Sequence, residues 1–594
     1  MNSSPFLSLI SNVRDSRFTF LKVLYFGFIF ISSILYSYKK IYWILELPPF
    51  IYATVVSILY IFCILYFKRL NSFLCFNDII ILFFFFYVIL SAILIHHEKT
   101  VTDRIYFILG YFIFFCIIRH LVNYIDRNDI VVSLFIVAMI QSFLGIFQYL
   151  DLLPFSYNKI TGIRGTLFYS NVFGCLMTIG LCINLYLFFK TKNKFFKGIL
   201  LVSLFLMGVS LMLSLSRTAY LAFFIGAAIL LYFHNYHRFK AIRSKYIIIS
   251  SLLFFILLSS LWAINLQSVI GRLLIWRISL NMFLEKPFFG IGYGNFFIQY
   301  GNYQADYFVS NQNNQNFINV AGMNYHPFNE LIRIGVENGI LGIFFVIVIL
   351  CLTARTLIKS LSKYKDAYLW GTILIVILVF GTVSYPFTDL TITTIFVTCI
   401  CVINSFEKAC FRINFKPIYK YTILVCLFII LGLALRKMYG IQEWAKSKRL
   451  IDNNFNEGLD KYERVFPILS NNASFLFNYG AELAAVGDYQ KSINVLLEAA
   501  KYGTSTELYT TLGNSYLQIK NYTLAEKSYI KAAFMEPKKI IPLYNLFHFY
   551  RITDQPNKAK LLSLKLCTKV IKIPSIVTSR IKREACSFYK TETN

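Results

Sequence analysis

Long apolar runs recur along most of this chain of 594 residues, and they constrain its fold more than any other feature. Each run has about 17–25 residues, the length that an α-helix needs to cross the hydrocarbon core of a bilayer. Backbone amides in lipid must be paired within their own segment, so such runs fold as helices. The predicted spans are 18–37, 49–67, 78–95, 104–123, 130–150, 168–189, 198–215, 217–233, 246–265, 339–358, 367–386, 390–405 and 421–436. The sequence therefore predicts an all-α fold with a polytopic bundle of about 12–13 transmembrane helices over residues 1–440.

The composition excludes several other classes of protein. Hydrophobic residues make up 57% of the chain and charged residues only 15%, which is too little charge to cover several soluble cores. The 58 Lys and Arg residues exceed the 29 Asp and Glu residues, giving a net charge of +29. Because these cations lie in short gaps between apolar runs, we interpret them as determinants of membrane orientation and expect no nucleic-acid partner.

Four short cationic loops are separated from one another by even numbers of predicted spans, so they share one side of the membrane. They are 190–197, 238–245, 355–365 and 408–420. Loops rich in Lys and Arg lie in the cytoplasm. This orientation places the N-terminus in the cytoplasm, and it places the long loop 266–338 and the chain after about Gln442 outside. Lys39 and Lys40 are exceptions, because they fall on the outer side.

Residues 445–570 differ from the rest, because charges return and apolar residues become periodic. One stretch matches the aromatic, Leu-Gly, Tyr and Ala spacing of a tetratricopeptide repeat. Its matching residues are Tyr509, Leu512, Gly513, Tyr516, Ala525, Tyr529, Ala532 and Pro537, and Gly480 is equivalent to Gly513. The spacing predicts an extracytoplasmic α-solenoid over 445–570, followed by a basic C-terminal tail at 571–594. Such repeats bind peptides or neighbouring subunits, although this one could instead serve only to stabilise the membrane part.

The twelve Cys residues lie mostly inside apolar runs, and no CxxC pair occurs. We therefore expect small apolar core residues rather than disulfides or metal ligands. The predicted outer side also lacks an Asp/Glu pair or a His/Cys cluster with metal-ligand spacing. The sequence predicts no metal and no cofactor.

Several cations break the positive-inside bias on the predicted outer side. They are Arg164, Arg217, Arg272 and Arg277. A single interfacial Arg usually snorkels to the headgroups, but a cluster of them favours an anionic ligand such as a diphosphate, which guanidinium binds bidentately. Trp276 follows Arg272 by four residues, so the two side chains share a helix face.

The long loop carries two further features. Gly290, Gly292 and Gly294 resemble part of a nucleotide-binding loop, but no predicted strand precedes them, so we interpret them as tight turns. His326 directly precedes a span, in the same loop as Arg272. It is a candidate general base, whereas the simpler interpretation is a surface histidine.

Four stretches between residues 162 and 342 follow one another in an order that is similar to a known family. They are Gly162–Gly174, Ser216–Ala219, Gly271–Phe296 with Arg272 and Trp276, and Asn329 followed by Glu337, Gly339 and Gly342. In this order, and with the long outer loop, residues 100–405 resemble the O-antigen ligase and polymerase family of bacterial polytopic glycosyltransferases. Members of this family transfer a glycan from a polyprenyl diphosphate carrier to an acceptor at the outer face of the cytoplasmic membrane.

The resemblance implies a role for each candidate residue. Arg217 and Arg272 would hold the diphosphate leaving group, and a loop histidine would deprotonate the acceptor hydroxyl. The family often has His-Asn where this chain has Phe328-Asn329, so the base is either His326 or another residue such as Glu330. The resemblance further implies a lipid bilayer, a lipid-linked glycan donor and a glycan or protein acceptor as partners, with no cofactor.

Two other functions remain open at the level of the sequence. A transporter of lipid-linked glycans would also bind a diphosphate, but it should show paired halves with broken helices and charges at the midplane. A non-enzymatic scaffold of polysaccharide assembly would use the repeats to bind a protein partner, but it leaves the outer arginines unexplained. Ligase, polymerase and protein O-glycosylase are not distinguished.

Overall fold

The computed structural model describes residues 25–27, 29, 47–66, 71–94, 103–122, 124–153, 162–234, 266–311, 314–408, 410–414, 417–451, 454–571 and 574–591. The predicted span 246–265 and the cationic loop 238–245 lie outside these residues. The predicted span 18–37 lies almost wholly outside them, as do Lys39 and Lys40.

Eleven of the predicted spans coincide with apolar helices in the described part of the chain. The helices are α1 (Pro48–Tyr66), α2 (Phe76–Leu94), α3 (Ile105–Leu121), α4 (Arg127–Tyr149), α5 (Ser170–Lys190), α6 (Lys194–Leu213), α7 (Arg217–His234), α11 (Glu330–Ser360), α12 (Ala367–Val383), α13 (Leu390–Asn404) and α14 (Pro417–Ile451). Between α7 and α11 lie α8 (Leu266–Glu285), α9 (Phe296–Ser310) and α10 (Gln315–Val320). By length and composition, eight of these helices could cross a membrane, whereas α3, α12 and α13 are apolar but have only 17, 17 and 15 residues. The predicted membrane-capable helices are confirmed for those eight.

Helix α5 lies at the centre of the bundle and contacts α4, α6, α7 and α12. Of its membrane-length window, 83% is buried, compared with 28% for α6. Close approach at α5 depends on small residues: a Cβ on Gly174 would lie 2.8 Å from Ala219 Cβ of α7. Helices α6 and α14 carry outward aromatic residues such as Phe205 and Phe428, as expected of surfaces that face lipid.

The described parts of three predicted cytoplasmic loops, 190–197, 355–365 and 408–420, lie at one end of the bundle. Strands β1 (Asn71–Leu74) and β2 (Phe411–Asn414) pair antiparallel there, a small sheet that the all-α prediction omitted. Arg127 forms an ion pair with Asp366 at 3.5 Å, and Lys190 Nζ donates to Asn128 Oδ1 at 2.7 Å. We name this end the cationic face. Whether it faces the cytoplasm remains a prediction.

A buried polar network near the cationic face joins α2, α3 and α13. Arg119 Nε lies 2.6 Å from Asp78 Oδ2, and both side chains are at most 3% exposed. Asn404 Nδ2 donates to Asp78 Oδ1 at 2.8 Å, which satisfies the other carboxylate oxygen. A charge in such surroundings is tolerated only when it is paired, so this network fixes the register of the three helices.

Eight helices follow α14 in the described residues, and we call them the C-terminal helices. They are α15 (Phe455–Leu469), α16 (Ala473–Ala485), α17 (Tyr489–Tyr502), α18 (Thr506–Gln518), α19 (Tyr522–Met535), α20 (Ile540–Ile552), α21 (Pro556–Thr568) and α22 (Ile576–Thr591). The pair α16–α17 is repeated by α18–α19 with an offset of 33 residues at every helix boundary. The segment 571–594, predicted as a basic tail, carries α22, which packs on α21.

The C-terminal helices pack like the predicted repeats at their small residues. A Cβ on Gly480 would lie 2.7 Å from Leu496, and one on Gly513 would lie 3.0 Å from Tyr529. Side chains cap successive helices at equivalent places: Asn472 caps α16 and Ser505, 33 residues later, caps α18. Each repeated pair therefore uses the same local interactions.

A disulfide joins Cys567 of α21 to Cys586 of α22. The expectation that the cysteines serve as apolar core residues rather than disulfides is therefore wrong for this pair. The two cysteines lie outside the apolar runs, in helices that contact each other, so spacing along the sequence gave no signal. The ten other cysteines are free thiols, six of them buried.

Helix α14 connects the two parts of the molecule without a loop. It has 35 residues, so it is about 52 Å long, which exceeds the ~30 Å of a bilayer core. Its last turns pack on α15, and Trp444 Nε1 donates to Asn478 Oδ1 at 3.0 Å. The predicted boundary at 440–445 thus falls within a continuous helix.

Candidate functional site

The end of α6 and the turn that follows it contact the start of the stretch Gly162–Gly174. Ile163 N donates to Leu213 O at 3.0 Å, and Gly162 has φ 80° with its Cα so close to Ser214 that a Cβ would lie 2.4 Å from Ser214 O. Gln148 Oε1 accepts from the backbone N–H groups of Arg164 and Gly165, both at 3.0 Å. These contacts fix half-buried Arg164 beside the turn that leads into exposed Arg217, the first residue of α7.

Helix α8 presents one face to the loop that contains His326. Trp276 Nε1 donates to Pro327 O at 2.8 Å, and the guanidinium of Arg272 lies 5.6 Å from the centre of the Phe328 ring. The shared face predicted from their spacing thus contacts consecutive loop residues. Arg277 is exposed and lies over Tyr307 of α9, at 5.6 Å from the ring centre.

The glycine-rich segment after α8 bonds to a break in α11. Gly339 interrupts this helix with φ 64° and ψ −166°, which frees backbone groups on both sides. Ile291 N donates to Val336 O at 2.9 Å, and Gly292 N donates to Glu337 O at 2.7 Å. Gly290, Gly292 and Gly294 all have positive φ, in line with their interpretation as turns. A Cβ on Gly339 would lie 2.2 Å from Phe288 O, so this contact requires glycine.

Buried Glu337 reinforces this junction, because its Oε1 accepts from Phe296 N at 3.4 Å, the first residue of α9. The first part of α11 is therefore tied to the loop before α9, and this holds the loop 321–329 between them. The carboxylate of Glu337 is thus buried and has a structural role at this contact.

Asn329 and Glu330 anchor the start of α11 to the turn between α12 and α13. Asn329 caps α11 by accepting from Ile332 N at 3.1 Å, and its Nδ2 donates to Thr382 O at 2.9 Å. Glu330 Oε1 accepts from Phe387 N at 3.0 Å, while its Oε2 lies 2.9 Å from Arg333 Nε. Both oxygens of this buried carboxylate are thus engaged within the protein.

The anchored turn places Tyr385 against His326. The two ring centres are 5.0 Å apart with planes 30° from parallel, and Phe328 packs edge-on to Tyr385 at 5.1 Å. Burial, reinforced by the positive charges of Arg104 and Arg333, holds the pKa of His326 well below its usual range. Its Nδ1 is buried and has no hydrogen-bond partner among the described residues. At neutral pH this imidazole is therefore uncharged, the form that a general base requires, while the same surroundings make it a weaker base than a free histidine.

Positive charges surround the His326–Tyr385 pair. Burial lowers the pKa of Arg272, and the nearby charge of Arg217 lowers it further, although a guanidinium keeps its proton at any working pH. Burial raises the pKa of Tyr385 to about 12, against the opposing charge of Arg272, so its phenol stays protonated. The guanidinium of Arg272 packs on Phe328, which in turn contacts Tyr385, so this arginine adjoins the His326–Tyr385 pair.

Sequence reasoning missed three residues of this cluster. Tyr385 was assigned to the predicted span 367–386, although the following Pro386 is a signal that the helix ends there. Arg104 was placed in a span, and Arg333 appeared only as part of a helix. No local sequence motif marks Arg104 or Arg333 as part of a site. Their charges reach His326 only because the helices that carry them pack around it.

The C-terminal helices hold the segment that precedes His326. Gln304 Nε2 of α9 donates to Met535 O and, at 3.2 Å, to Gly322 O. Glu536 Oε1 accepts from Met323 N at 3.4 Å. Thr504 Oγ1 donates to Ile298 O of α9 at 2.8 Å, so the two parts contact each other along α9.

This contact places the long loop and the C-terminal helices at the same end of the bundle, which is opposite to the cationic face. A second contact supports the arrangement, because Lys437 of α14 forms an ion pair with Asp103 at 3.3 Å and Asn472 donates to the same carboxylate at 3.3 Å. We name this end the site face.

Comparison with known proteins bears directly on the site face. Residues 202–347 match the family model described as O-Antigen ligase. The match covers less than half of the chain, but it contains Arg217, Arg272 and His326, and it confirms the predicted resemblance over this range. No curated protein matches the chain. The chain thus combines a region similar to the O-antigen ligase model with several membrane-capable helices, which suggests a multi-pass membrane protein of polysaccharide assembly.

Proposed function

We propose that this protein transfers a glycan from a polyprenyl diphosphate carrier to an acceptor hydroxyl at the outer face of a bacterial cytoplasmic membrane. The observation that carries the proposal is the packing of Arg272 on Phe328, whose ring contacts the same Tyr385 that packs against His326, inside the region that matches the O-antigen ligase model. Two guanidiniums suit a diphosphate leaving group, and a neutral imidazole suits proton abstraction.

In the proposed reaction, His326 takes the proton of the acceptor hydroxyl while the acceptor oxygen forms a bond to the anomeric carbon of the donor. The bond between that carbon and the phosphate oxygen breaks, and its electron pair leaves with the polyprenyl diphosphate. Arg217 and Arg272 compensate the charge that develops on this leaving group. Arg164 and Arg277 would contact its outer oxygens or the glycan.

Glu330 has a positioning role in this proposal rather than a role as the base. Its two oxygens bind Phe387 N and Arg333, and it thereby fixes the turn that presents Tyr385 to His326. Asn329, Glu337 and Trp276 likewise position the loops, through Thr382, Phe296 and Pro327. The proposal needs no metal, since guanidinium groups supply the positive charge.

We also propose that the C-terminal helices are tetratricopeptide repeats outside the cytoplasm, with a protein or a neighbouring subunit as partner. The 33-residue offset of α16–α17 and α18–α19 supports the repeat assignment. The disulfide between Cys567 and Cys586 supports the location, because disulfides persist in oxidising compartments.

Reconstitution tests the proposed reaction. The full-length protein in lipid nanodiscs is supplied with the polyprenyl diphosphate-linked glycan of its source organism and with the surface glycan as acceptor. We expect product formation that survives a metal chelator, strongly reduced product with Arg272→Lys, and normal product with Arg355→Lys at the cationic face. In proteoliposomes, movement of intact donor across the bilayer without transfer by the wild-type protein would instead favour a transporter. In cells, loss of chain-length variation on deletion indicates a polymerase, and accumulated lipid-linked polymer indicates a ligase.

A further inference from the structure

A row of six aromatic rings runs through the site face, and the proposed transfer reaction leaves most of them without a role. The rings belong to Phe297, Tyr325, His326, Tyr385, Tyr169 and Phe168. Neighbouring ring centres are between 4.2 and 6.5 Å apart. The residues come from four separate segments of the chain, so the row exists only in the folded protein.

The row has an exposed end, formed by Phe297 and Tyr325, and a buried middle at Tyr385. Tyr325 is 52% exposed, whereas Tyr385 is 8% exposed and contacts Phe328, whose ring lies 5.6 Å from the Arg272 guanidinium. Tyr325 is nevertheless held in place, because it stacks on Phe297 with ring centres 4.2 Å apart and planes 12° from parallel. The row thus leads from solvent, past the proposed base, to the proposed diphosphate site.

We propose that the exposed end of this row binds a sugar ring of the acceptor, and hence that the acceptor is a glycan rather than a protein side chain. This inference rests on the proposed function and names the acceptor class. The C–H bonds on one face of a sugar ring are weakly positive, and the face of an aromatic ring is negative, so the two attract each other. A tyrosine already fixed by stacking loses little conformational entropy when it binds.

The position of Tyr325 favours the acceptor over the donor. The donor diphosphate is assigned to the arginine end, whereas Tyr325 adjoins His326, which receives the proton of the acceptor hydroxyl. Asn324 precedes Tyr325 and fixes the segment that carries the exposed ring, because its Nδ2 donates to Gly322 O at 2.7 Å and to Tyr300 Oη at 3.5 Å.

Acceptor kinetics test the inference with the full-length enzyme in nanodiscs. Tyr325→Ala should raise the KM for the glycan acceptor about tenfold, while kcat at saturating acceptor stays within about twofold. Tyr325→Trp should restore the KM, because it keeps an aromatic face. Tyr522→Ala, which removes an exposed tyrosine of α19, is the matched control and should leave both constants unchanged.

An unchanged KM in Tyr325→Ala, or a fall in kcat alone, overturns the inference. So does equal transfer to a protein acceptor that carries no sugar. If Arg272→Lys abolishes transfer while Tyr325→Ala behaves as wild type, the proposed function stands and only the aromatic subsite fails.

A binding measurement keeps the test independent of transfer. Oligosaccharides released by mild acid from the source organism's surface polysaccharide are added to the protein, and saturation-transfer NMR detects contact with sugar protons. We expect transfer of saturation in the wild type and at least a threefold weaker effect in Tyr325→Ala. No effect in the wild type, or equal effects in both proteins, overturns the inference.

Discussion

The membrane-capable helices and the C-terminal helices bury their apolar residues in different ways. In α5 nearly the whole surface is buried, while α6 and α14 expose large apolar side chains where lipid replaces protein. In α17 the buried residues Ile493 and Leu496 recur at helical spacing, and charged residues cover the opposite face. Polar groups are therefore common in the C-terminal helices, whereas in the membrane part the buried charges of Arg119 and Asp78 form an ion pair.

The two regions also differ in the sequence separation of the residues that they bring into contact, and this difference determines where a candidate active site can form. The C-terminal helices contact mainly their neighbours in sequence, such as α16 with α17 and α18 with α19. The site face instead joins Arg217, Arg272, His326 and Tyr385, which come from four different segments. A repeat scaffold is local and regular, while the candidate site depends on long-range packing.

The largest expected effect concerns the arginine pair. Arg217→Lys and Arg272→Lys should each lower the transfer rate about a hundredfold, because Lys keeps the charge but loses the two-pronged contact. The measurement is initial rate in nanodiscs at fixed donor and acceptor. Near-wild-type rates in both variants would mean that these side chains only contact the lipid headgroups.

The proposed base should give a similar or slightly smaller effect. His326→Ala should lower kcat about a hundredfold, the usual contribution of general-base catalysis, with donor binding retained. Glu330→Gln should lower the rate less and should lower thermal stability as well, because it weakens a buried ion pair. A fully active His326→Ala enzyme beside an inactive, stably folded Glu330→Gln enzyme would reverse the two assignments.

The contact between the two regions should have a moderate effect. Gln304→Leu removes both hydrogen bonds that tie Met535 and Gly322 together, so the segment before His326 loses a support. We expect a fall in kcat of roughly fivefold with little change in the donor KM. Gln299→Leu, on the same helix, is the matched control, and equal losses in both variants would contradict a specific role for Gln304.

The acid limb of the pH–rate profile should shift, while the rate at neutral pH stays close to that of the wild type. His326 must be neutral to act as a base, and because its pKa is lowered, activity should persist as the pH falls past ~6.5 before it declines. Arg104→Gln removes a positive charge that lowers this pKa, so the acid limb should move to higher pH. A pH–rate profile of kcat checks the direction, and an unmoved limb would show that another group titrates.

The smallest effect on activity is expected at the disulfide. Cys567→Ser with Cys586→Ser should destabilise the C-terminal helices by about 2–4 kcal/mol and leave the transfer rate unchanged. Thermal unfolding measures the stability and initial rates measure the transfer. Maleimide labelling read specifically at Cys567 and Cys586 tests the location, because ten other cysteines are free thiols. Full labelling of these two residues in unreduced cells would contradict the proposed location outside the cytoplasm.

The sequence by itself determined the spans, the cationic loops and the repeat spacing, because length, hydropathy and local periodicity specify such elements directly. It also identified Arg217, Arg272 and His326, which sit in recognisable stretches. Only the tertiary structure decided that Glu330 is engaged with Arg333 and Phe387, that Tyr385 faces His326, and that α9 docks on α19. The physical reason is that burial and pairing are properties of the surroundings of a side chain, and residues far apart in sequence create those surroundings.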